Sequence, residues 1–90
     1  MIFRSDFGVY VCSHIFSNQF PVLEAIRDLD GDWQFLCGQE NCAENGEPHY
    51  IGVGHLTAND STINQAACLE VGTYCERKTT KEAWMFGELE

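Results

Sequence analysis

Ninety residues, 44% of them hydrophobic and including six Phe, three Tyr and two Trp, suit one globular domain with a single modest core. A formal net charge of −9 excludes the basic footprint that nucleic acid demands, and it argues equally against an anionic membrane surface. No run approaches the ~18 apolar residues of a bilayer span. The N-terminus has no positive region followed by an apolar run, so no secretory signal and a cytoplasmic location are expected. An odd number of cysteines, Cys12, Cys37, Cys42, Cys68 and Cys75, fits a reducing compartment better than a disulfide framework.

In chain order, Arg4-Ser5-Asp6 reads as a frayed lead-in. Phe7 to Ser13 alternates as a first strand, with Phe7, Val9 and Val11 on one face and Gly8, Tyr10 and Cys12 on the other. Ser17-Asn18 offers a helix cap and Pro21 suits a first helical turn. Val22, Leu23, Ile26 and Leu29 then repeat at three- and four-residue spacing, which predicts a short amphipathic helix ended by Gly31. The dipeptide Asp30-Gly31 turns the chain into a second strand, Trp33 to Cys37. Gly38 to Pro48 is polar and reads as a loop.

His49 to Leu56 alternates as a third strand, in which Gly52 and Gly54 mark a bulge or a close neighbour. Ala58 to Ser61 carries a cap signal for two helical turns over Thr62 to Leu69. Thr73 to Arg77 and Ala83 to Phe86 pair as a hairpin across a polar turn. Connections too brief for crossover helices predict a small single α+β domain over 1–90. Its expected sheet is mainly antiparallel, of four to five short strands with two short helices, and its ordered core covers about 7–87. Leu89-Glu90 resembles the start of an expression tag.

Charge is concentrated between Glu24 and Glu47, where seven acids face one base, Arg27, for a net −6. A fixed patch of carboxylates attracts a cationic protein and discriminates against wrong partners. The candidate partner-binding residues are Asp28, Asp30, Asp32, Glu40 and Glu44, with Trp33 as support or anchor; solvation of a small acidic protein is the plainer alternative. Asp28-x-Asp30-x-Asp32 opens like a calcium loop, but Trp33 and Gln39 stand where such a loop needs glycine and glutamate.

Cys37, Cys42, His49 and His55 supply four zinc-type ligands within nineteen residues, at the edge of the usual spacing, and form the alternative metal or thiol site. Cys12-x-His14 would place two side chains on one strand face about 7 Å apart, too far for a nucleophilic dyad, and no third group is evident to orient the imidazole. Gly52-x-Gly54 lacks the strand–helix context of a phosphate loop. Arg77, Lys78 and Lys81 read as a solvated hairpin tip, while Trp33 and Trp84 read as core. A further alternative is a housekeeping domain with a small-molecule pocket beside Tyr50, His55 and Trp84. No catalytic residue and no cofactor are expected.

The order of several pieces resembles a known bacterial family. These are Val11-Cys12-Ser13 closing a first strand, Asp30-Gly31-Asp32-Trp33-Gln34-Phe35-x-Cys37-Gly38, Asp60-Ser61, Gly72 with Glu76-Arg77, and a late Trp84. The family is a domain of unknown function grouped with predicted immunity proteins of polymorphic toxin systems (immunity-protein family thirty-three type). The resemblance spans roughly residues 9–86; many members carry Asp-Ser-Gly-Trp where this chain has Asp30-Gly31-Asp32-Trp33. It implies a cytoplasmic inhibitor that binds a toxin and offers no catalytic residues to carry over. With the acidic charge, the expected partner is a basic protein, such as a toxin domain, bound by a non-enzymatic module.

Overall fold

A computed structural model describes residues 3–17, 20–38 and 49–89. Alternating burial of Val9 and Val11 makes strand β1 (Gly8–Val11). It joins β2 (Glu24–Arg27), β3 (Trp33–Leu36), β4 (His49–Gly52), β5 (Thr73–Glu76) and β6 (Met85–Glu88) in a six-stranded sheet of order β4-β1-β3-β2-β5-β6. The interior pair β1–β3 is parallel, with Val11 beside Phe35, and the other neighbouring pairs are antiparallel. Helix α1 (Ser13–Phe16), helix α2 (Gly54–Thr57) and an eight-residue 3₁₀ helix (Ser61–Cys68) supply Ile15, Leu56, Ile63 and Ala66 to the core formed with Val9, Val11, Ala25, Phe35 and Cys75. Ile63, Ala66 and Leu69 recur every third residue, so a three-residue turn stacks them on one buried stripe.

The α+β class stands, with one strand more than the upper expectation, three helical segments and a parallel pair inside the sheet. The helix expected from Pro21 to Leu29 is instead β2 and its turn. Here the apolar spacing misleads, because Leu29 is 75% exposed and so belongs to no buried stripe. Asp28 closes the hairpin: its carboxylate accepts from the backbone N–H groups of Asp30 (2.9 Å) and Asp32 (3.1 Å) and from the Gln34 amide (3.1 Å). Gly31 supplies the left-handed step at φ +91°.

The first strand ends at Val11, before α1, and the fourth stops at Gly52, before α2. The glycines do mark a close neighbour, since Gly54 N–H donates to the Ser5 carbonyl at 3.0 Å. The lead-in is therefore held, and Phe3 packs edge-on against Trp33 and Phe35. The last strand starts two residues late because Trp84 turns inward, where Arg77 stacks on it at 4.1 Å. Arg77 is thus buried rather than part of a solvated tip, whereas Lys78 and Lys81 are exposed.

Candidate functional site

The helices cover one side of the sheet. Strand alternation and register place Tyr10, Glu24, Ile26, Gln34, Leu36, Tyr50, Tyr74, Glu76 and Met85 on the other. A water-facing sheet surface ordinarily reads polar. This one carries three tyrosines together with isoleucine, leucine and methionine, and Tyr50 and Met85 are 66% and 68% exposed. Tyr10 and Tyr50 meet edge-on at 4.9 Å. Tyr50 also leans over Gly8, and Tyr74 over Gly87, at positions where a Cβ would strike the ring. Glycine in these two strands therefore leaves room for tyrosine on the surface.

Glu24 and Glu76 stand directly opposite each other on β2 and β5. Burial pushes the Glu24 carboxyl above its ordinary range, and the charge of Glu76 pushes it further the same way. Among the described residues the pair shares its face with rings, aliphatic groups and the Gln34 amide.

The expected acidic patch is divided among the described residues. Asp30 and Asp32 are exposed at the β2–β3 turn, while Glu24 lies at the far end of β2 on the open face. Asp28 is committed to the turn. Slight burial raises its carboxyl, but the hydrogen bonds from Gln34, Asp32 and Asp30 outweigh this and hold it below the usual range. Trp33 shares the core side of the sheet with Phe35, half-buried between Arg27, whose guanidinium lies 4.2 Å above its ring, and the rings of Phe3 and Phe7. It braces the hairpin from within. Glu40 and Glu44 lie outside the described residues.

The metal-type ligands regroup. Cys42 lies outside the described residues, the His49 ring stacks on Phe16 at 4.0 Å, and His55 is exposed on α2. Cys37 instead meets His14, Sγ to Nδ1 at 3.4 Å, and the ligand atoms of Cys12, His14 and Cys37 all lie within 4.8 Å of one another. Parallel pairing explains the meeting. β1 and β3 finish at the same end of the sheet, Cys12 and Cys37 each stand one residue beyond, and the turn into α1 brings His14 close. The sequence signal existed as two fragments, Cys12-x-His14 and Cys37, but nothing local joined them.

Cys12, Cys37, Cys68 and Cys75 are not in disulfides. Cys12, Cys37 and Cys75 are buried, as their strand positions imply. Burial, more than the neighbouring Cys68, pushes the Cys75 thiol up to about 12, so it acts as a core filler.

Tyr50, His55 and Trp84 do not share a cavity: they occupy the open face, α2 and the buried Arg77 contact. A cleft of about 370 Å³ runs between Phe20, Val22, Leu56 and Asp60 instead. Its carboxylate is already engaged by Arg77 and Thr62. Among the described residues no helix is long and apolar enough to cross a membrane. No protein-family model, curated protein or solved structure matches this chain.

Proposed function

We propose that this protein is a non-enzymatic binding module of the immunity type, which neutralises a cationic protein partner by covering it with the open face of the sheet. One observation carries the reading: the face that no described helix covers departs from polar alternation and holds, among its rings, two opposed carboxylates, Glu24 and Glu76. Tyrosines give contact area at small entropic cost, and a lysine or arginine set between the glutamates relieves their repulsion. Asp30 and Asp32, at the exposed hairpin turn, act at longer range by steering a basic surface inward. The resemblance to immunity proteins supports the same partner class, and a toxin-domain gene immediately upstream would strengthen it.

The test is an amide NMR titration with a short peptide alternating lysine and leucine. The expected result is a set of shifts at Tyr10, Ile26, Gln34 and Tyr74, with affinity falling about tenfold, or 1.4 kcal/mol, in Glu24→Gln/Glu76→Gln. Shifts confined to Asp30 and Asp32, or equal binding of a glutamate–leucine peptide, overturn the reading. Shifts that follow protein concentration without peptide would assign the face to a second copy of the chain, and overturn it too.

A further inference from the structure

The Cys12–His14–Cys37 cluster lies on the helix-covered side of the sheet, away from the proposed docking face, and belongs to no part of that mechanism. We infer that these three side chains bind a single zinc ion, as its protein ligands among the described residues.

Ligand chemistry supports zinc. Two thiols and an imidazole are soft to borderline donors, which favour Zn²⁺ over the oxygen-seeking Ca²⁺ and Mg²⁺. The spacing fits as well. Zn–S bonds near 2.3 Å and Zn–N bonds near 2.0–2.1 Å at tetrahedral angles set S···N at about 3.6 Å and S···S at about 3.8 Å. Cys37 Sγ already stands 3.4 Å from His14 Nδ1, and the whole set is contained within 4.8 Å. Side-chain adjustments on the order of 1 Å therefore complete the coordination sphere.

The scaffold is suited to holding it. Cys37 is fully buried and Cys12 is 6% exposed, each just beyond a strand of the parallel pair β1–β3. His14 is half-buried on α1, its ring edge-on to Phe20 at 5.3 Å. The left-handed step at Gly38, φ +72°, comes immediately after Cys37. Binding would tie the ends of β1 and β3 to α1. It would displace thiol protons, so affinity should rise with pH.

The experiment uses the full chain under reducing conditions, titrated with Co²⁺ as the spectroscopic stand-in and then with Zn²⁺. Cys42→Ser and Cys68→Ser are introduced together so that only the proposed thiols and Cys75 remain. The expected outcome is one equivalent of cobalt with the visible bands of a four-coordinate ion and thiolate-to-cobalt charge transfer. Zinc should displace it and raise Tm.

His14→Ala should keep the fold, because its ring is not core, and should weaken binding at least ~10-fold. Cys37→Ser should abolish the charge-transfer band, with a thermal melt reporting whether the variant is folded. The inference is overturned if cobalt gives no four-coordinate spectrum, if His14→Ala leaves spectrum and affinity unchanged, or if the Cys42/Cys68 replacement removes binding. It is equally overturned if Cys12 and Cys37 are recovered only as a disulfide that reduction does not convert into a metal-binding form.

Discussion

Arg77 shows how one buried charge organises a small core. Its guanidinium donates twice to the Val22 carbonyl (2.9 and 3.2 Å), to Thr62 Oγ1 (2.7 Å) and to Asp60 (2.6 Å), and lies against Trp84. Trp84 in turn donates to the Thr62 carbonyl at 3.1 Å. Burial alone would raise the Asp60 carboxyl, but hydrogen bonds from Thr62 and Arg77, aided by the arginine charge, hold it below its usual range. Asp60 also caps the 3₁₀ helix by accepting from Thr62 N–H, so one carboxylate serves both an ion pair and a helix start. Removing the guanidinium leaves the Val22 carbonyl unpaired and Asp60 without its ion pair. Arg77→Ala should therefore lower stability by about 3–5 kcal/mol in urea unfolding. The contacts of Asp60, Arg77 and Trp84 account for these three residues as structure.

At the scale of elements, turn chemistry overrides periodicity. The segment 22–29 carries a helical apolar rhythm, yet Asp28 satisfies its own turn so fully that the chain doubles back as a hairpin, with Ala25 against Phe35. Pairing on both edges of β2, to β3 and β5, then commits its backbone to the sheet. The same end of the sheet, where β1 begins, depends on a close approach. A Cβ on Gly54 would stand 2.8 Å from the Ser5 carbonyl oxygen and 3.1 Å from Ser5 Cα, and backbone does not yield easily. Gly54→Ala is expected to cost about 1–3 kcal/mol, read by chemical denaturation. It should also loosen the lead-in, seen as faster amide exchange at Phe7, whose N–H donates to the Arg4 carbonyl.

Across the whole molecule, charge and coverage divide the two sides of the sheet. One side is closed by helices and holds the thiol–imidazole cluster; the other carries no described helix and is apolar and acidic. That division has a thermodynamic signature. Because the Glu24 carboxyl is raised in the folded protein, its charged form opposes folding, and the penalty is present above the raised value. As pH falls through that value towards ~4.3, the ordinary glutamate pKa, the penalty disappears. Glu24→Gln should thus raise Tm at neutral pH and lose this advantage near pH 4 in melts across that window. A site that gains stability when its carboxylate is removed fits a surface kept for binding.

Composition, alternation and turn dipeptides were enough to establish a single α+β domain, the Thr73–Glu76 hairpin partner and the Trp33–Leu36 strand. These rest on local backbone preference and on hydrophobicity, which a linear chain carries with it. The parallel neighbours β1 and β3, the meeting of Cys12 and His14 with Cys37, and the pairing of Glu24 with Glu76 were settled only by tertiary structure. Each joins residues far apart in the chain, and strand order in a sheet is chosen by the packing of the whole core rather than by any one segment.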